Sequence, residues 1–162
     1  WVVTQRMLYK KNTLISNRKE QFNSIGFIWD PHEHAWNAHF NQLCAFKAQN
    51  GHCNVPSRDG AKQTSLGSWI RRQRMAYRKN ALTSNQLQRM NSIGFIWDPH
   101  EHAWNAHFNQ LCAFKAQNGH CNVPSGDGAK NTSLGSWINN QRMAYKKSAL
   151  SSNHMQQLNS IG

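Results

Sequence analysis

Acidic side chains are scarce in this sequence. Seven Asp and Glu stand against nineteen Lys and Arg, a formal net charge of +12 over 162 residues, and an imbalance of that size favours a polyanionic partner over a neutral one. Long apolar runs are missing as well: no stretch approaches the ~18 residues that a membrane-spanning helix needs, so no membrane association is expected. Cysteine numbers only four. Two per repeated unit do not make a disulfide framework, which points to a reducing intracellular compartment, nucleus or cytoplasm and nucleoid. The motifs of activated nucleophiles, metalloproteases and phosphate-binding loops are all lacking, so nothing argues for an enzyme and no cofactor is implied.

What is present is a repeat. Phe27 to Gly94 aligns without a gap to Phe95 to Gly162 at an offset of 68, with 57 identities and 11 differences. The first 26 residues align with Trp69 to Gly94 at 14 positions, so the chain reads as the back end of one unit followed by two more. Self-similarity at a fixed period outranks other sequence signals and marks an array. The opening falls mid-unit with no initiator methionine, as in an excerpt of a longer array, and the lack of a visible signal or transit peptide therefore carries no weight. Boundaries are expected at 1–29, 30–97 and 98–162. All three segments are basic: +4 for 1–26 (5 minus 1), +6 for 27–94 (9 minus 3) and +2 for 95–162 (5 minus 3).

Within a unit, Asp30-Pro31-His32-Glu33 starts a helix, with Asp30 as N-cap, Pro31 at the first helical position and Glu33 closing a capping box. Trp36, Phe40, Leu43 and Phe46 then form one stripe up to about Asn50, where Gly51 stops the helix. Phe27 and Trp29 precede the cap and are expected to tie neighbouring units together. An extended His52 to Pro56 segment and a turn at Ser57 to Gly60 lead to a second helix capped by Thr64 or Ser65; Val55 anchors the loop, whose tip varies (Arg58 to Gly126, Gln63 to Asn131). That helix runs from Leu66 to about Lys79 and ends at Asn80, a residue tolerant of left-handed backbone, with Asn12 and Ser148 as equivalents. A third, shorter helix follows Thr83 or Ser84, with Leu87, Met90 and Ile93 on its apolar edge and Gly94 at its end. The expected fold is all-α, in tandem three-helix units.

The second helix has two faces. Leu66, Trp69, Ile70, Gln73 and Tyr77 fall on one stripe, and Arg71, Arg74 and Arg78 fall beside it. Arg6, Arg74 and Arg142 occur in all copies, each after a glutamine (Gln5, Gln73, Gln141). Two readings of that pair stand: Arg grips phosphate while Gln reads a base edge, or Gln is a buried amide and Arg74 pairs with Asp30 or Asp59. Arg71, Arg72 and Arg78 become Asn139, Asn140 and Lys146 in the last copy, and Val3, Thr4 and Lys10 in the first, so a phosphate role would make the middle unit bind most tightly. Met75, with Met7 and Met143, lies opposite the core stripe and suggests cover from a second side. Cys44, Cys53, His39 and His52 lack a usual zinc spacing, leaving a buried thiol beside a capping histidine as the preferred reading and metal-dependent folding as a minor one.

The set Trp36, Phe40, Leu43, Phe46, Gly51-His52, Val55-Pro56, Leu66-Gly67-Ser68-Trp69, Gln73-Arg74, Tyr77, Leu82 and Ile93-Gly94-Phe95-Ile96-Trp97 resembles the helicase-associated domain family across essentially the whole chain. The resemblance implies small three-helix modules used in tandem and thought to bind nucleic acid. No helicase motor accompanies them here, so there is no basis for ATPase activity, and a motor in a longer parent protein is left open. Asn80 and Ser148 replace a frequent glycine, which affects local turn geometry only.

The expected function is therefore a monomeric nucleic-acid-binding module, double-stranded DNA ahead of RNA, with one helix of a basic unit in the major groove. Phosphate contacts are expected from Arg6, Arg71, Arg72, Arg74, Arg78, Lys79, Arg142, Lys146 and Lys147. Asn85, Gln86 and Arg89 of the third helix are candidates for base edges. The competing expectation is a protein-interaction array whose basic surface confers solubility.

Overall fold

The computed structural model describes residues 1–56, 58–59, 62–124 and 133–162, with backbone only at 58–59 and 62–63. Two compact units emerge, Trp1–Phe95 and Ile96–Gly162. The first holds α1 (Val2–Lys10), α2 (Ser16–Ser24), α3 (Pro31–Asn50), β1 (Arg58–Asp59), β2 (Lys62–Gln63), α4 (Ser65–Arg78) and α5 (Ser84–Ser92); the second holds α6 (Pro99–Asn118), α7 (Ser133–Lys146) and α8 (Ser152–Ser160). The architecture is all-α, as expected. Among the described residues its one addition is a hairpin in which Arg58 faces Gln63 and Asp59 faces Lys62, where the sequence predicts a turn alone. The varying loop-tip positions Gly126 and Asn131, and the side chains of Arg58 and Gln63, lie outside the described residues.

Caps set the helix limits. Asp30 Oδ1 accepts the N–H groups of His32 and Glu33 at 3.0 and 3.1 Å, and Gly51, at φ 77°, takes the left-handed turn that ends α3. Those bonds, with the N–H of Glu33 foremost and the Lys10 ammonium next, hold the Asp30 carboxyl below its ordinary range. The cap of α3 is one-way; the reciprocal box forms at α5, where Thr83 and Gln86 exchange side-chain and backbone bonds. Thr64 caps α4 by accepting from Gly67. Asn12, Asn80 and Ser148 sit at φ 55°, 51° and 53°, the positions assigned to them from sequence.

Packing of α3 on α4 makes the core. Trp36 stacks on Phe40 with ring centroids 5.2 Å apart and meets Trp69 edge-on at 5.7 Å. Leu43, Ile70 and Met90 are fully enclosed. The indole N–H of Trp36 donates to Gln73 Oε1 at 3.0 Å within this core, and Trp104 donates to Gln141 at 3.1 Å in the second unit. Gln73 is thus the buried amide, which settles why a polar residue sits on an apolar stripe. At the matching place in α1, the buried Gln5 Oε1 has no hydrogen-bond partner.

The end of the third helix is tied back to the first. Lys47 Nζ donates to the Ile93 carbonyl at 2.8 Å and the Cys53 thiol to the same oxygen at 3.6 Å, and Lys115 and Cys121 do the same to Ile161. These contacts satisfy carbonyls left over at the helix end. No helix among the described residues is long and apolar enough to cross a membrane.

Replacing Gln73 by Leu strands the buried Trp36 N–H and should cost about 1–3 kcal/mol in urea unfolding. Combining it with Trp36→Phe removes both partners, so the double mutant should be less destabilised than the sum of the two single changes.

Candidate nucleic-acid interface

Helix α4 turns ~100° per residue, which sets Arg71, Met75 and Arg78 on one outward line with Arg72 and Lys79 at its side. All five are exposed. The side chains of Arg71, Arg72 and Lys79 enter no ion pair among the described residues. Met75 lies in the middle of this cationic arc at 49% exposure, and Met7 and Met143 are exposed to 50% and 52%. The second-side cover expected for these methionines is not formed within either unit.

The neighbouring Arg74 is differently used. It is half-buried, with its guanidinium over the Phe95 ring at 5.0 Å from the centroid. Arg6 repeats the arrangement: it lies 5.0 Å from the Phe27 centroid and donates through Nε and Nη2 to the Ile28 carbonyl at 3.2 and 3.1 Å. The Gln-Arg pair therefore faces two ways, glutamine to the tryptophan of the preceding helix and arginine to the phenylalanine of the following connector. A guanidinium pressed on a ring is partly withdrawn from an incoming phosphate. The pairing of Arg74 with Asp30 is not what forms; Asp30 Oδ2 meets Lys10 Nζ at 3.0 Å. Arg142 is exposed.

The flanking copies present weaker arcs. On and after α1, Lys10 and Lys11 are exposed beside Val3 and Thr4; on and after α7, Lys146 and Lys147 are exposed beside Asn139 and Asn140. Four exposed cations on and just after α4 thus compare with two, Lys10 and Lys11, in the first copy and three, Arg142 included, in the last.

Two of the three residues assigned to base edges are occupied. Gln86 closes the cap of α5 through Thr83. Arg89 lies over Trp36 and Phe40, 4.9 and 4.3 Å from their centroids, and donates to Asn37 Oδ1. Only Asn85 is exposed. In the last unit, where Gln157 replaces Arg89, cover of the tryptophan passes to His154: its ring stacks on Trp104 at 3.9 Å and its Nε2 meets Glu101 Oε2 at 2.8 Å.

The sulfur and imidazole groups are separately committed. His39 Nδ1–H donates to the Ala35 carbonyl at 2.9 Å while its ring stacks on Trp69 at 5.5 Å. His52 Nδ1 accepts the Asn54 N–H at 3.2 Å. Burial pushes the Cys53 thiol up, against a smaller opposing pull from Lys47. No group of three or more His, Cys, Asp or Glu side chains among the described residues is arranged to hold a metal ion.

The two classes of arginine should separate in a stability assay. Arg74→Ala loses the Phe95 contact and should lower unfolding free energy by about 0.5–2 kcal/mol, whereas Arg71→Ala, on the open face, should stay within about 0.5 kcal/mol of the parent. Thermal or urea unfolding of the two variants side by side measures this.

Neither a search of curated proteins nor one of solved structures found a significant match. A comparison with protein-family profiles did: the profile described as "Helicase associated domain" matches residues 33–98 and again 101–162, two tandem copies that between them carry α3 to α5 and α6 to α8. This describes a helicase-associated module rather than a catalytic domain. With two successive matches to one profile covering most of its length, the chain belongs to the helicase-associated domain family.

Proposed function

We propose that this protein binds nucleic acid, double-stranded DNA ahead of RNA, through the outward face of the second helix of each unit. The observation that carries the reading is the exposed arc of Arg71, Arg72, Arg78 and Lys79 on α4, lying clear of the core stripe. Phosphate neutralisation by such a face supplies affinity regardless of sequence. The 14 residues of α4 make a rod about 21 Å long, and a B-form major groove about 12 Å wide admits a helix. The deep, narrow major groove of A-form RNA does not, which ranks DNA first. Met75, at the centre of the arc, offers an apolar contact of the kind that meets a thymine methyl.

In this reading Arg71, Arg72, Arg78 and Lys79 are the main contacts, with Lys146, Lys147 and Arg142 in the last unit. Arg6 and Arg74 serve chiefly to seat the connectors. The module acts by binding and contributes no catalytic group. The exposure of Met7, Met75 and Met143 at one place in three copies favours a single second reading, a protein partner that covers these side chains.

Salt separates the two. Binding to a labelled duplex should weaken steeply between low and physiological ionic strength. The triple variant Arg71→Ala, Arg72→Ala, Arg78→Ala should flatten the slope of log K against log salt by about 2.7, at 0.9 for each lost phosphate contact. A salt response unchanged by the triple variant, or no binding at low salt, overturns the reading and favours the protein partner.

A further inference from the structure

The outward face of the second helix has the same layout in each copy. Its centre is an exposed methionine, Met7, Met75 or Met143, and on a helix the residues three and four before it and three and four after it surround that side chain. The pair after it is cationic every time: Lys10 and Lys11, Arg78 and Lys79, Lys146 and Lys147. The backbone N–H of the second residue of that pair still donates to the methionine carbonyl, at 3.0 Å for Lys11 and 3.2 Å for Lys79 and Lys147, so helical spacing extends to it. The pair before the methionine is where the copies part: Val3 and Thr4, Arg71 and Arg72, Asn139 and Asn140. An unvarying cationic pair suits the phosphate backbone, which is alike at every base pair; a varying pair suits the base edges, which are not.

Asn139 and Asn140 lie midway along α7 and are exposed, and neither side-chain amide enters a hydrogen bond among the described residues. The matching Arg71, Arg72 and Met75 are exposed on α4 as well, where a connector and a further unit follow in the chain. Asparagine is a poorer helix former than arginine because its short amide competes for the backbone. Two in succession weaken α7 locally, with no contact in the unit to offset the loss. Their chemistry is what differs. Arginine only donates, whereas asparagine sets a donor beside an acceptor, the complement of the adenine edge in the major groove, where N7 accepts and N6–H donates.

Resting on the reading of this face as the nucleic-acid surface, we propose that Asn139 and Asn140 are base-reading residues that direct the last unit to A·T pairs in the major groove. An amide donates through Nδ2 to adenine N7 and accepts the adenine N6–H at Oδ1. Met143, one turn further on and 52% exposed, meets the thymine methyl beside it, and Lys146 and Lys147 hold the flanking phosphates. In the middle unit Arg71 and Arg72 lack the acceptor for the N6–H and cannot make this pair. The chain thereby joins a strongly charged unit that grips any duplex to a unit that selects sequence.

The test is binding of the intact chain, at several salt concentrations, to three labelled duplexes of equal length: alternating A·T, the same with 7-deazaadenine for adenine, and alternating G·C. The 7-deaza base loses the N7 acceptor but keeps its pairing and its minor groove, which separates base-edge reading from groove width. The A·T duplex should bind at least about fivefold more tightly than either of the others. In the double variant Asn139→Ala, Asn140→Ala that gap should close while the slope of log K against log salt is kept, since no charge is removed. Circular dichroism should show the fold retained, because both side chains are exposed and alanine is the better helix former. Equal binding of the adenine and 7-deazaadenine duplexes with a steep salt response overturns the proposal and leaves phosphate binding standing. A gap that survives the double variant also overturns it. No binding of any duplex at low salt overturns both this inference and the reading on which it rests.

Discussion

A buried indole N–H has to find an acceptor, and in this fold it finds the side chain of Gln73. The bond from Trp36 joins the first helix of a unit to the second inside an otherwise apolar core, and Trp104 and Gln141 repeat it. The orientation of the second helix follows from that contact. With Gln73 turned inward, Arg74 falls at the edge of the helix, where the next connector arrives, and Arg71, Arg72, Met75, Arg78 and Lys79 are carried to the outside. A core constraint thereby determines which cations face outward. Arginine density alone does not distinguish them, because Arg71, Arg72 and Arg74 are separated by at most three residues and yet meet different surroundings.

Differences between copies act mainly on two surfaces. Arg71, Arg72 and Arg78 give way to Asn139, Asn140 and Lys146 on the outward face, and the first two of these changes remove charge without touching the core. Arg89 gives way to Gln157 over the aromatic cluster, and there the loss is compensated by His154 stacking on Trp104. Phe108 is less buried than its counterpart Phe40, consistent with a guanidinium covering more of the cluster than an imidazole does. The seats for the connectors, by contrast, keep their Arg, Tyr and Asn in every copy. The outward cations and the connector seat thus lie on separate faces of one small unit.

Much of this was legible from residue types and spacing. Asp30-Pro31 and Gly51 bracket α3 because a capping carboxylate, a residue lacking an N–H and a residue free to adopt positive φ each suit one end of a helix. The place of Gln73 on the Trp69-Ile70 stripe makes burial one of two readings, and its bond with Trp36 selects that one. The role of Arg74 did not, because its partner Phe95 lies 21 residues ahead and a cation over a ring leaves no spacing signature. Gln86 stands among the base-edge candidates, although Thr83-x-x-Gln86 has the spacing of a capping box, a signal sufficient to place it at the start of α5. Arg89 gave no such sign. The backbone hairpin of two-residue strands is too short for alternation to reveal it. The connector seat is visible in sequence as the recurrence of Tyr9, Asn23 and Arg6, but its geometry emerges only once Trp29 is seen lying on Tyr9 with its indole N–H on Asn23.

The division of labour among the arginines is the central claim, and side-chain NMR tests it most directly. The Nε–Hε resonances of Arg6, Arg71, Arg72, Arg74 and Arg78 can be followed while a DNA duplex is added to the folded chain. The account requires Arg71, Arg72 and Arg78 to shift with saturation while Arg6 and Arg74 remain nearly still. Movement of Arg6 and Arg74 as large as that of the outward three would place phosphate at the connector seat and contradict it.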